Sequence, residues 1–145
     1  MLKLISFNLE SEEELKAFVE KLAKFPLQGH SIGLIGPLGA GKTTFVRYLV
    51  KYLGSKDPVS SPSFTLQHEY ALNEGGMIEH WDLYRVKSLP DELLEPPAPT
   101  LLRLIEWCDR FPDFSESLDM CIAISFGKLD SQTEGRNLEI FVTRD

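Results

Sequence analysis

Cysteine is scarce in this chain, whose 145 residues include two, Cys108 and Cys121. The two do not form a C-x-x-C pair, and neither lies near a suitable cluster of histidines. The sequence therefore gives little support to a zinc site or to a disulfide framework. We expect both side chains to be buried, reduced thiols.

Long apolar runs and an excess of basic residues are also missing. The apolar runs are too short to cross a bilayer, and the first residues lack the features of a signal peptide, so we expect no membrane contact and a cytoplasmic location. Asp and Glu number 22 against 15 Lys and Arg, which gives a net charge of −7. Such a chain lacks the general attraction that drives binding to phosphate backbones. Any nucleic-acid substrate is therefore expected to be held by another subunit.

The residues that are present have a globular composition, with 43% hydrophobic and 26% charged. This length and composition predict one domain spanning residues 1–145. Residues 2–9 alternate and predict a strand. Ser11 and Glu14 then form a capping box, which predicts the start of a helix with Leu15, Val19 and Leu22 on its apolar face.

A glycine-rich loop follows a short apolar strand at 31–35 and precedes a second predicted helix at 43–53. It reads Gly36-Pro37-Leu38-Gly39-Ala40-Gly41-Lys42-Thr43. In such a P-loop the glycines let backbone amides surround phosphates, the lysine brings a cation to the outer phosphates, and the threonine hydroxyl binds magnesium. The helix N-terminus adds amides and a positive dipole. The loop therefore predicts binding of ATP and Mg²⁺.

The rest of the chain predicts strands and turns. A hairpin is expected from strands at 63–70 and 77–83, a buried strand at 101–106 follows a proline-rich segment, and a second hairpin is expected from 121–126 and 138–143. The first of these strands places four side chains on one side: Phe64, Leu66, His68 and Tyr70. We therefore predict an α/β, P-loop NTPase-like domain whose mixed sheet, flanked by helices, is parallel around the P-loop and antiparallel in the hairpins.

Two acidic residues stand at the predicted ends of strands, Asp82 and Glu106. Magnesium and an attacking water need carboxylates at the ends of strands beside a P-loop, so both are candidates. The serine-rich loop 60–65 is either a switch segment that senses the γ-phosphate or a rigid turn. His80 and Asp82 point the same way along their strand, but two ligands do not make a metal site, and no histidine is assigned to catalysis.

Two alternatives use the same loop differently. Residues 127–130 read Gly-Lys-Leu-Asp, near the guanine reader Asn-Lys-x-Asp of GTPases, but glycine lacks the amide side chain, so a hairpin turn and ATP are favoured. A small-molecule P-loop kinase would pass phosphate to an acceptor hydroxyl. It would also need a lid, and the sequence shows no arginine-rich lid segment.

Several motifs occur together and in one order along the chain. They are the G-x-x-G-A-G-K-T-T loop from Gly36 to Thr44, Ser61-Pro62-Ser63-Phe64-Thr65, His80-Trp81-Asp82-Leu83-Tyr84-Arg85, Ile105-Glu106-Trp107, and Gly135-Arg136. In this combination the sequence resembles the TsaE (YjeE) family, the P-loop ATPase of bacterial tRNA threonylcarbamoyladenosine biosynthesis. The resemblance covers nearly the whole chain.

The resemblance implies a division of roles among these residues. Thr43 and Glu106 would hold magnesium, Lys42 and Asp82 would be catalytic with Asp82 beside the γ-phosphate or its water, and Thr44 and Arg136 would join the loop in binding ATP. The family also implies partners of the TsaB and TsaD type, which act with it on a tRNA adenosine beside the anticodon. We expect ATP hydrolysis to be weak without those partners.

Overall fold

The computed structural model describes residues 1–129 and 133–143, and of residues 128, 129, 133 and 134 it describes the backbone alone. Seven strands form one sheet in the order β1-β7-β6-β2-β5-β4-β3. The elements are β1 Leu2–Leu9, α1 Glu12–Leu22, β2 Ser31–Ile35, α2 Lys42–Tyr52, β3 Gln67–Ala71, β4 Met77–Asp82, β5 Leu101–Glu106, α3 Pro112–Ser117, β6 Met120–Leu129 and β7 Thr133–Val142, with short 3₁₀ turns at Asp91–Leu94 and Cys108–Arg110.

The centre of the sheet is parallel and its edges are antiparallel. Strand β2 lies parallel between β5 and β6, and β4 lies parallel to β5. The pairs β3–β4, β6–β7 and β1–β7 are antiparallel. The predicted mixed sheet is therefore confirmed. The pairing of β1 with β7 was not predicted, because it joins the two ends of the chain and leaves no local pattern.

Helix α1 begins as its capping box predicts. The Ser11 hydroxyl accepts a hydrogen bond from the amide of Glu14 at 3.3 Å, and the Glu14 carboxylate accepts one from the amide of Glu10 at 2.6 Å. The helix buries Leu15, Val19 and Leu22, as its periodicity predicted. It packs beside α2, where the rings of Phe18 and Phe45 lie 6.3 Å apart. This contact supports α2 directly behind the glycine-rich loop.

The prediction of a strand at 63–70 is wrong in its first half. Strand β3 begins at Gln67, and the preceding residues form a turn closed by a hydrogen bond of 2.7 Å from the amide of Leu66 to the carbonyl of Pro62. Leu66 has a left-handed backbone with φ of 74°, which ends the alternation. Phe64 is consequently 86% exposed, whereas Tyr70, which was predicted on the same side of the strand, is buried.

Two further predictions concern the cysteines and the second hairpin. Cys108 and Cys121 are buried and free, as expected. The second predicted hairpin is present with longer strands, but Phe126 is 48% exposed although Ile122 and Ile124, which alternate with it along the strand, are buried.

Asp130, the last residue of the GTPase-like tetrapeptide, lies outside the described residues. Over the described part of the chain, no helix is both long and apolar enough to cross a membrane.

Candidate functional site

The glycine-rich loop connects the central strand β2 to α2. A Cβ atom on Gly36 would overlap the carbonyl oxygen of Ile124 on the neighbouring strand β6, so this position requires glycine. Gly39 and Gly41 have φ of 79° and 115°, in the left-handed region that favours glycine. Gly41 caps α2 without a side-chain hydrogen bond. Backbone amides at the start of α2 are thereby left to bind an anion.

Lys42 lies inside the site, with 5% of its surface exposed. Its ammonium group donates hydrogen bonds to the carbonyls of Gly36 and, at 3.2 Å, Pro37. It also lies 4.0 Å from the centre of the Trp107 ring, within the range of a cation–π contact. Burial lowers the pKa of Lys42 below its ordinary value, and the nearby carboxylates of Glu106 and Asp82 oppose that shift.

Thr43 and Glu106 meet because β2 and β5 are adjacent and parallel. The Thr43 hydroxyl donates a hydrogen bond of 3.3 Å to Oε2 of Glu106, a residue that is 2% exposed. A hydroxyl and a carboxylate are the oxygen ligands that Mg²⁺ prefers, and Mg²⁺ usually takes its remaining ligands from water and phosphate. The pair therefore fits a magnesium ion bound with a nucleotide.

Asp82 ends β4 in register with Glu106 at the end of β5. Its two carboxylate oxygens are held separately: Oδ2 accepts from the Ser63 hydroxyl at 2.9 Å, and Oδ1 accepts from the amide of Tyr84 at 2.8 Å. The loop 60–65 thus contacts one of the two predicted acids. The loop, both acids and the glycine-rich segment enclose a cavity of about 180 Å³.

A second cavity of about 340 Å³ adjoins the other side of the glycine-rich loop. It is lined by parts of β1 and α1, by Gly39, Ala40, Gly41 and Thr44, and by Gly135 and Arg136. Arg136 donates from Nε to the carbonyl of Ala40 at 3.0 Å, and its guanidinium lies 4.5 Å from the ring centre of Phe126. Arg136 therefore supports the loop from β7 and faces this cavity.

Twelve site residues were predicted from the sequence, and the fold brings them to the same end of the sheet. Eleven line the two cavities, namely Pro37, Leu38, Gly39, Ala40, Gly41, Lys42, Thr43, Thr44, Asp82, Glu106 and Arg136, and the twelfth, Gly36, directly follows β2. Among the described residues, no three His, Cys, Asp or Glu side chains are grouped to hold a metal by themselves.

His80 belongs to the site although no role was predicted for it. Its Nε2 lies 2.6 Å from Oε2 of Glu106, and its Nδ1 lies 2.9 Å from the Tyr70 hydroxyl. Two features of the sequence pointed to it: its position two residues before Asp82 on the same face of the strand, and its place at the start of the motif His80-Trp81-Asp82-Leu83-Tyr84-Arg85. Its partners come from two other strands, so their contact depends on register. Trp107 was also missed, because its contact with Lys42 depends on a left-handed backbone with φ of 63°.

Comparisons with known proteins agree with this architecture. The family model described as "Threonylcarbamoyl adenosine biosynthesis protein TsaE" matches residues 9–137. A protein from Aquifex aeolicus named tRNA threonylcarbamoyladenosine biosynthesis protein TsaE is 50% identical over 104 residues, which are 70% of this chain and 75% of the relative. A protein of the same name from Haemophilus influenzae is 32% identical over 142 residues, or 91% and 85% of the two chains.

A solved structure has the same fold. The crystal structure of Bacillus subtilis YdiB superimposes with a TM-score of 0.66 and 25% sequence identity, covering 96% of this chain and 87% of that one. The predicted P-loop NTPase-like fold class is confirmed. The chain belongs to the TsaE family, whose members take part in tRNA threonylcarbamoyladenosine biosynthesis.

Proposed function

We propose that this chain is the ATP-binding and ATP-hydrolysing subunit that supports threonylcarbamoyladenosine modification of tRNA, acting as one domain with partners of the TsaB and TsaD type. The observation that carries the proposal is the convergence of a P-loop with two acids. Lys42 and Thr43 follow β2, Glu106 ends the adjacent strand β5, and Asp82 ends β4 beside it. All four line one cavity.

ATP would be held mainly by main-chain groups. The backbone N–H groups of residues 38, 39 and 41–44, at the N-terminus of α2, suit the phosphates, and the cavity that Arg136 faces is of a size and position to receive the nucleoside. Thr43 and Glu106 would hold Mg²⁺, which neutralises charge on the phosphate oxygens when bound. Lys42 would move from the loop carbonyls to the outer phosphates, where its charge stabilises the oxygens that gain charge during transfer.

Asp82 would orient the attacking water. Each of its carboxylate oxygens already accepts one hydrogen bond, from the Ser63 hydroxyl and from the Tyr84 amide, which restrains the rotation of the group. A carboxylate restrained in this way retains lone pairs that can accept a hydrogen bond from water. The loop 60–65 supplies Ser63, so the position of this loop would decide whether Asp82 is correctly placed.

The partner proteins would complete the site. The guanidinium of Arg85 lies 4.6 Å from the ring centre of Phe64, a side chain that is 86% exposed on the loop 60–65. A cation held beside the loop 60–65 by an exposed aromatic ring is available for rearrangement when a protein docks there. In P-loop enzymes a correctly placed external or repositioned cation raises the rate by about 10³ to 10⁵. The loop and the segment after Arg85 would form that docking surface, and tRNA would be contacted through the partners.

Steady-state ATP hydrolysis tests this proposal in three samples: the chain alone, the chain with tRNA, and the chain with its TsaB and TsaD partners. We expect slow turnover in the first two and faster turnover in the third. Full activity of the chain alone, or stimulation by tRNA without proteins, would contradict the subunit role. Transfer of phosphate to a small hydroxyl compound instead of water would support the kinase alternative.

A further inference from the structure

We propose that Tyr70 and His80 form a positioning pair that holds the Glu106 carboxylate toward Thr43. The inference rests on the proposed function, because it assigns Glu106 to magnesium. It adds the hairpin β3–β4 to the metal-binding part of the site. Neither residue would touch the metal or the nucleotide.

The pair and Glu106 lie on a diagonal line across three strands. In the pairing of β3 with β4, Tyr70 is opposite Ile78. His80 is two residues after Ile78 in β4 and therefore lies on the same face of the sheet as Tyr70. In the pairing of β4 with β5, His80 is opposite Leu104, and Glu106 is two residues after Leu104 in β5, again on the same face. The two hydrogen bonds of 2.9 and 2.6 Å follow this line. The register of the sheet therefore sets the contact between these residues.

Burial makes the arrangement specific. His80 is 0% exposed and Tyr70 is 2% exposed, so neither side chain can replace its partner with bulk water. Glu106 Oε2 has only lone pairs to offer as a carboxylate, so His80 Nε2 carries a hydrogen and donates it. The Tyr70 hydroxyl contacts Nδ1 at 2.9 Å, so the imidazole is held at both ring nitrogens with Nε2 toward Glu106.

Oε2 of Glu106 receives the hydrogen bonds of both His80 and Thr43. One oxygen is thus fixed from two sides, and the rotation of the carboxylate is restricted. Hydrogen-bond partners of this kind orient the ligands of metal sites, and their loss typically lowers metal affinity or activity by about 10- to 100-fold. The Tyr70 hydroxyl also lies 3.3 Å from the carbonyl of Ser60, which connects the pair to the start of the loop 60–65.

The test measures ADP affinity by calorimetry with excess Mg²⁺ and again with a chelator, because the ratio of the two affinities isolates the magnesium-dependent part. We expect His80→Leu to lower that ratio by about 10- to 100-fold. His80→Gln can place an amide donor near the position of Nε2 and should restore part of the ratio. Tyr70→Phe keeps the volume but removes the hydroxyl, and should lower the ratio by about 3- to 10-fold.

Tyr52→Phe is the matched control. Tyr52 ends α2, nine residues after Thr43 and so about 13 Å from it along the helix, and its substitution removes the same hydroxyl away from the site. The ratio should not change. Thermal melting of every variant shows whether it folds. If His80→Leu does not fold, Tyr70→Phe and His80→Gln decide the question.

Equal losses of affinity with magnesium and with the chelator would show a structural role and overturn the positioning pair. An unchanged ratio in Tyr70→Phe and His80→Gln would do the same while leaving the proposed function intact. If the unaltered protein binds ADP in neither condition, the proposed function fails and the pair fails with it.

Discussion

The site has two walls of different construction. The phosphate wall, residues 36–44, is made mainly of backbone, and its shape comes from glycine conformations and from the close approach of Gly36 to β6. The acidic wall consists of Asp82, Glu106 and the side chains that hold them. Its shape comes from hydrogen bonds between groups on three strands and the loop 60–65. One wall is therefore local in the chain, and the other exists only after the sheet has formed.

This difference determines how each wall can be altered. Few substitutions in the phosphate wall can have a partial effect, because even one added carbon at Gly36 causes a steric overlap. The acidic wall can be weakened in steps, because each hydrogen bond that a side chain donates to an acid can be removed by a substitution of similar volume. Substitutions in the phosphate wall should have large effects on binding or folding, whereas those around the acids should give graded effects on turnover and magnesium affinity.

The largest effect is expected from Lys42→Ala. In the proposed function its ammonium group stabilises the transferred phosphate, so ATP hydrolysis should fall by about 10³-fold. The measurement is phosphate release in the presence of the partners. Lys51→Ala removes the same charge from the exposed last turn of α2 and should leave turnover unchanged. Undiminished turnover in Lys42→Ala would contradict the P-loop assignment.

The next effect separates the two acids of the acidic wall. Asp82→Ala should slow turnover by about 10²-fold while ATP still binds, because the proposed role of Asp82 is in the chemical step. Glu106→Ala should instead weaken ATP binding in the presence of magnesium and not in its absence. Calorimetry and turnover of both variants check this, with Asp113→Ala on α3 as the control. The reverse pattern would exchange the two roles.

A smaller effect concerns folding of the phosphate wall. Gly36→Ala introduces an overlap with Ile124 and should lower the free energy of unfolding by about 1–3 kcal/mol more than Gly54→Ala. Gly54 also has a positive φ, of 95°, but a Cβ there would meet no atom within 4 Å. The comparison therefore isolates the overlap from backbone strain. Equal losses in urea unfolding would show that close packing against β6 is unimportant.

The smallest effect is expected from Ser63→Ala in the acidic wall. The substitution removes one of two hydrogen bonds to Asp82, and the Tyr84 amide continues to hold the other oxygen. Turnover should fall by about 3- to 10-fold with ATP affinity unchanged. Ser117→Ala removes a hydroxyl from α3 and serves as the control. A loss as large as that of Asp82→Ala would show that the loop 60–65 does more than orient this carboxylate.

The phosphate wall was predictable because its determinants are consecutive in the chain. The same holds for α1, where Ser11 and Glu14 are three residues apart and mark the helix start. Asp82 and Glu106 could be predicted as candidates, because both stand at the ends of predicted strands and neighbouring parallel strands end at one edge of a sheet. The partners of the acids could not be predicted. His80 meets Glu106 across 26 residues of sequence, and that contact follows from a register that no local pattern encodes.

The turn before β3 shows a different limit. The alternation of Phe64, Leu66 and Tyr70 is that of a strand, yet hydrogen bonds from Leu66 to Pro62 and from Ser63 to Asp82 form a turn instead. A strand-like pattern was thus overridden by contacts with a distant carboxylate. The misread segment is the one that supports a candidate catalytic residue.

Among the described residues, Leu66 and Trp107 are the two non-glycine residues with positive φ, and each adjoins one acid. The carbonyl of Leu66 accepts from the amide of Asp82 at 3.0 Å, and Trp107 directly follows Glu106. A left-handed backbone costs such residues about 1–3 kcal/mol each. Selection for thermal resistance alone would favour glycine at both positions. Leucine and tryptophan at these positions therefore lower resistance to heat, but their side chains make contacts that glycine would lack: both pack against the core cluster around Trp81, and Trp107 lies 4.0 Å from the Lys42 ammonium group.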